Sequence, residues 1–121
     1  MPSPRKAWVI DLCCFPAFIT DKTERPTLDH LADHLDYIVQ LAGIDRSSLG
    51  TDFYEASGYQ KSVDLGVWDP AEYPAPPWHF PLDGGTTIEF VETMSRRGYD
   101  ADDIRKVLGG NFARVFSQAW H

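Results

Sequence analysis

Two hydrophobic periods alternate along this chain. Residues 7–15, Ala-Trp-Val-Ile-Asp-Leu-Cys-Cys-Phe, form a nearly continuous apolar run that Pro16 ends. Such a run predicts a strand of a parallel sheet covered on both faces. A polar connection from Thr20 to Pro26 follows. From Thr27 the period changes: Leu28, Leu31, Ala32, Leu35, Ile38, Val39 and Ala42 recur every third or fourth position, and Asp29, Asp33, Asp36 and Gln40 fall opposite. This predicts an amphipathic helix capped by Thr27 and stopped by Gly43. A turn at Ile44 and Asp45 then leads into a second short strand over about 47–53. Strand, helix, strand in so short a span is a βαβ unit, which implies parallel strands.

Beyond Asp52 the period dissolves. Residues 54–85 carry Pro70, Pro74, Pro76, Pro77 and Pro81 among Tyr54, Tyr59, Trp68, Tyr73, Trp78 and Phe80. The expectation is a long aromatic and proline-rich loop, either a lid over a site or a covering insertion. A helix is expected again after Thr86 or Thr87, with Ile88, Val91, Met94 and Ser95 on one face and Gly98 at its end. Asp100, with Asp103 in the capping-box position, begins a last helical segment. Its stripe is Ile104, Val107, Leu108, Phe112, Val115, Phe116 and Ala119. Gly109-Gly110-Asn111 breaks it, with Asn111 expected to cap a final helix. No internal repeat is present.

Composition narrows the function classes. The formal net charge is -7, which argues against nucleic acid and anionic membranes as partners. The acidic excess is spread along the chain and reads as a solvated surface. Cys13 and Cys14 are adjacent in the first strand and point to opposite faces, so they read as reduced thiols rather than a disulfide. No apolar stretch is long enough to span a membrane. The start has no signal-type apolar region, because Asp11 interrupts the first run, and the cytoplasm is the expected compartment.

The candidate for chemistry is Asp52. A carboxylate at the carboxyl tip of a strand is where barrel enzymes place catalytic groups, and it can accept a proton from an attacking water and pass it to a leaving amine. Four segments surround it: Ala32-Asp33-His34-Leu35-Asp36-Tyr37-Ile38, Gly43-Ile44-Asp45 leading to Gly50-Thr51-Asp52-Phe53, Arg96-Arg97-Gly98-Tyr99, and Ile104 to Phe116 with Leu108-Gly109-Gly110-Asn111 inside it. In this order and spacing they resemble the C-terminal end of the renal (membrane) dipeptidase family of zinc peptidases. The likeness runs from about residue 8 to 120.

The resemblance implies an α/β fold, the C-terminal portion of a (β/α)8 TIM barrel. It implies two zinc ions in the complete enzyme, hydrolysis of dipeptides or related small amides, and a proton-handling role for Asp52. The family's zinc ligands, a His-x-Asp pair, a bridging Glu and two further His, lie upstream of the region represented here, so no metal ligand is expected in this chain. His30 and His34 share one side of a helix but are expected to pack or hydrogen-bond; His79 and His121 complete the histidines. Two departures from the family pattern stand out. Tyr54-Glu55 follows the Asp-Phe tip where the best-known members have Asp-Gly, and Cys13 stands where many have Asn.

Size points the same way without the resemblance. A closed barrel takes about 250 residues, whereas this chain has 121. Residues 1–121 therefore read as a single partial domain of about two strands with their helices. Its edges would be completed by an N-terminal barrel portion or by self-association. The alternative is a non-catalytic assembly or binding module of the same fold. A stand-alone α/β hydrolase lacks support, as no Gly-x-Ser-x-Gly, P-loop or Gly-x-Gly-x-x-Gly is present.

Overall fold

The computed structural model describes residues 7–14, 18–20, 26–50, 56–69 and 84–120. Strand β1 (Ile10–Cys13) is followed by helix α1 (Leu28–Ala42), a 3-10 turn (Ile44–Arg46) and strand β2 (Ser47–Gly50). Then come α2 (Ala56–Asp64), α3 (Gly84–Arg96), the short α4 (Ala101–Arg105), a π turn (Lys106–Gly110) and α5 (Asn111–Ala119). The described residues are thus mostly helical around a two-stranded sheet. A closed barrel is not among them.

The predicted βαβ unit is present. β1 and β2 run parallel, with Ile10 opposite Ser47 and Cys13 opposite Gly50, and the Cys14 N–H continues the ladder to the Gly50 carbonyl at 3.0 Å. Both strands are shorter than the apolar runs suggested, and the expected continuation of β2 to 53 lies outside the described residues. Side chains alternate along β1: Leu12 and Cys14 enter the core, while Asp11 is exposed and Cys13 half-buried. Neither cysteine is disulfide-linked.

The core joins Leu12, Cys14 and Ile19 to Leu31, Ala32 and Leu35 of α1, Phe90 and Met94 of α3, and Val107. The α1 stripe is the one the periodicity predicts. Thr27 caps the helix with its hydroxyl, accepting from the His30 N–H at 3.2 Å, and His30 returns a bond as its Nδ1 accepts from the Thr27 N–H at 3.0 Å. The reciprocal pair is a capping box in which His takes the place of Glu or Gln.

Helix α3 keeps part of the expected face, with Met94 buried and Val91 half-buried, but Ile88 and Ser95 turn outward. Phe90 and Met94 are fully buried and Thr93 nearly so, whereas Ile88 is 64% exposed. Two stripes that share Met94 compete in this sequence. The Phe90–Thr93–Met94–Arg97 stripe prevails because it buries the larger ring and also aims Arg97 at α1. The helix begins at Gly84, before the expected Thr86 or Thr87 cap. It ends as predicted at Gly98, where φ is +93°. The Tyr99 N–H bonds to the Met94 carbonyl at 3.2 Å and the Gly98 N–H to Ser95 at 3.1 Å, a Schellman closure that asks for glycine at this position.

The loop expected over 54–85 also needs correction. Residues 56–64 are helical, with the Ser62 hydroxyl donating to the Gly58 carbonyl at 2.9 Å and Gln60 bonded to Asp64 at 2.8 Å. Tyr59 and Val63 are the only large apolar residues in it, so no apolar stripe announced this helix. Residues 70–83, with most of the prolines, lie outside the described residues.

The acidic face of α1 is more than a solvated surface. Arg97 donates to Asp33 at 2.7 Å, Asp36 at 2.8 Å and Asp29 at 3.2 Å, and also to the Asp29 carbonyl at 3.0 Å. The Tyr99 hydroxyl donates to the other Asp36 oxygen at 2.5 Å. Hydrogen bonding to Asp33 and its neighbours raises the pKa of Arg97, and burial followed by the Asp36 contact raises that of Tyr99, so both remain donors at physiological pH. Asp29 and Asp33 are about two-thirds exposed and add little, while Asp36 is 34% exposed and accepts from both donors. Arg97→Ala should therefore cost about 2 kcal/mol, read from urea denaturation midpoints. Arg97→Lys should recover only part of it, because a single ammonium cannot span three carboxylates.

Candidate functional site

The carboxyl ends of β1 and β2 lie side by side at Cys13 and Gly50. Asp52, the residue singled out for proton transfer, follows Gly50 by two positions and lies outside the described residues. The described part of this end of the sheet contains a second acid that the sequence reading treated only as an interruption. Asp11 lies against Gly50 so closely that a Cβ on Gly50 would overlap its carboxyl group. Glycine is thus what lets the two strands bring an acid to this face. Partial burial raises the Asp11 pKa above its ordinary 3.8.

That shift has a definite sign. A carboxyl whose pKa is higher in the folded state stabilises the fold below the unfolded value, and the contribution is lost as pH rises through the folded value. The stability difference between the wild type and Asp11→Asn should therefore move in favour of the variant as pH rises above the ordinary value of 3.8. Denaturation midpoints above that pH check it, and a difference independent of pH would contradict it.

The two described histidines, His30 and His34, each hydrogen-bond within the scaffold. His30 Nδ1 is bonded into the α1 cap, and His34 Nε2 lies 2.8 Å from the Ile19 carbonyl, tying the helix to the segment after β1. Among the described residues no group of three or more His, Cys, Asp or Glu side chains converges as a metal site would require. His79 and His121 lie outside the described residues.

The opposite, amino end of the sheet is tied to the C-terminal helices. Asn111 was expected to cap α5, but it has helical dihedrals and its side chain is turned inward, 2% exposed. Its Nδ2 donates to the Ile44 and Ser47 carbonyls, both at 2.7 Å. The Ser48 hydroxyl reaches the Val107 carbonyl at 3.3 Å, and Lys106 pairs with Asp45 at 2.8 Å. Arg46 stacks 4.5 Å above the Trp8 ring and donates to the Trp8 carbonyl at 3.1 Å. The Gly-Gly-Asn segment thus holds the start of β2 in place. The only advance signal was its occurrence within a longer motif.

Comparison with known proteins places the chain in a family. The profile of the membrane dipeptidase family (peptidase family M19) matches residues 5–76, more than half of the chain. The chain belongs to the membrane dipeptidase family. Dipeptidase aclJ of Aspergillus oryzae is 25% identical over 114 residues, covering 93% of this chain and 23% of the relative. Dipeptidase tcpJ of Claviceps purpurea is 26% identical over 110 residues, covering 90% of this chain and 22% of the relative. This member of the family therefore spans about a quarter of the length of the dipeptidases it matches. No solved structure matches it. The family is generally zinc-dependent, but the described residues of this chain do not fit a zinc site, since no three or more His, Cys, Asp or Glu side chains converge among them. No helix among the described residues is long and apolar enough to cross a membrane.

Proposed function

We propose that this chain is the C-terminal portion of a dipeptidase-like hydrolase acting on dipeptides or related small amides, and that it supplies Asp52 as the proton-transferring acid. In this reading the remainder of the (β/α)8 barrel, with the zinc ligands, comes from an N-terminal portion or through self-association. Asp52 takes the proton of the water that attacks the amide carbonyl and returns it to the departing amine. The observation that supports the reading is the family match over residues 5–76, a span that includes both parallel strands and Asp52. β2 ends two residues before Asp52, and parallel βα units collect their chemistry at that end of the strands. The names of the relatives supply the substrate class. The two thiols fit a reducing cytoplasm.

The test is complementation. Dipeptide hydrolysis should appear when the chain is combined with the polypeptide that provides the preceding barrel strands, and should be absent from either part by itself. Equal activity of the N-terminal part with and without this chain would overturn the assignment.

A second reading, a non-catalytic assembly module, is favoured by one feature. Phe116 of α5 and Trp120 just beyond its end stack at 4.9 Å yet are 45% and 74% exposed, and Leu108, two turns before Phe116, is 41% exposed. An apolar stripe of this kind is available to a partner. Under that reading partner binding survives Asp52→Asn and no hydrolysis accompanies it.

A further inference from the structure

At the amino ends of β1 and β2 lies an open cleft of about 390 Å³, lined by Asp45, Asp102, Arg105, Lys106, Asn111 and Arg114. On a chain of net charge -7 this is a place where cations gather. Lys106, Arg114 and Arg46 all act on the Asp45 carboxyl and hold it below the ordinary carboxylate range, with Lys106 contributing most.

The cations differ in how they are engaged. Arg105 is paired with Asp102 at 2.6 Å. Lys106 is paired with Asp45 at 2.8 Å, but these side chains are 41% and 64% exposed, and such pairs are weak enough to exchange. Arg114 makes no ion pair among the described residues. Its Nη1 donates to Asn111 Oδ1 at 3.2 Å and its Nη2 lies 3.5 Å from the Trp8 carbonyl, both long bonds to neutral acceptors. Asn111 is buried and fixed through both Nδ2 bonds, so the oxygen that orients Arg114 is itself immobile. A guanidinium held by neutral groups at the wall of a cleft retains the forked donor geometry that suits an oxyanion.

We propose that this cleft binds a small oxyanion of the phosphate type, with the Arg114 fork as its main donor and Lys106 turning from Asp45 to share the charge. The site lies at the amino ends of the strands and does not depend on the dipeptidase reading. Asp45 is its internal competitor, since it occupies Lys106 while the anion is absent.

The test is a nuclear magnetic resonance titration of the full chain with inorganic phosphate, at ionic strength held constant with sodium chloride. Saturable shifts should centre on the Arg114 side chain and on the Lys106, Gly110 and Asn111 amides, with half-saturation at millimolar phosphate or below. Arg114→Ala should weaken binding about tenfold or more, and Asp45→Asn should tighten it about threefold by freeing Lys106. Arg114→Lys, which keeps the charge and loses the fork, serves if the alanine variant does not fold, and should also weaken binding. Shifts that rise linearly, or that chloride reproduces, identify an adventitious ion only and overturn the proposal. So does saturable binding that neither Arg114 variant nor Asp45→Asn alters.

Discussion

Asp52→Asn, in the chain completed by the preceding barrel strands, is expected to lower kcat for dipeptide hydrolysis by about 10²- to 10⁴-fold, the range of a positioned general base. The substitution keeps the size of the side chain and its capacity to accept a hydrogen bond. It removes the capacity to take a proton from the attacking water and to deliver one to the leaving amine. The loss should fall on kcat and on kcat/KM alike, because the missing interaction develops only as the proton moves. A rise in KM with kcat unchanged would instead make Asp52 a substrate contact. Activity that survives the change intact would remove the proposed role. Stability measured on the same variant separates chemistry from folding.

The largest effect on the fold is expected at Phe90. It is fully buried between α3 and the elements it covers, in a core that otherwise consists of smaller side chains. Phe90→Ala should cost about 3–5 kcal/mol, a large share of the 5–15 kcal/mol typical of a whole domain. Ile88→Ala, two residues earlier on the same helix but 64% exposed, should change stability by no more than about 0.5 kcal/mol. Urea midpoints of the two variants decide which face of α3 is inside. The reverse order would restore the face that periodicity alone suggested.

These two residues illustrate what the sequence reveals and what it hides. The α1 stripe was legible because apolar and acidic positions separate cleanly around it, and Thr27 and Gly43 mark its ends. The parallel pairing of β1 with β2 followed from the length of the connection. On α3 two apolar stripes overlap, and the burial of Phe90 with the long-range contact of Arg97 to Asp33 and Asp36 shows which one faces inward. Helix α2 was hidden because its residues give no apolar period, and local polar contacts such as Gln60 to Asp64 accompany it instead. Asn111 gave a capping signal by residue type, yet the Ile44 and Ser47 carbonyls, more than sixty residues earlier in the chain, claim its side chain.

The motifs that resemble the membrane dipeptidases had a similar fate. Two of them bind each other: Asp33 and Asp36 of one hold Arg97 and Tyr99 of another. A third, the Gly-Gly-Asn segment, clamps the entrance to β2. These motif residues therefore build scaffold around β2. Asp11, by contrast, became visible only when Gly50 was placed beneath its carboxyl group.

The account rests on the chain being one portion of a larger catalytic unit. The most direct test is zinc content and dipeptide hydrolysis of the purified chain by itself. The chain should hold no stoichiometric zinc and show no hydrolysis above the uncatalysed rate. Two zinc ions per chain with zinc-dependent turnover would contradict it.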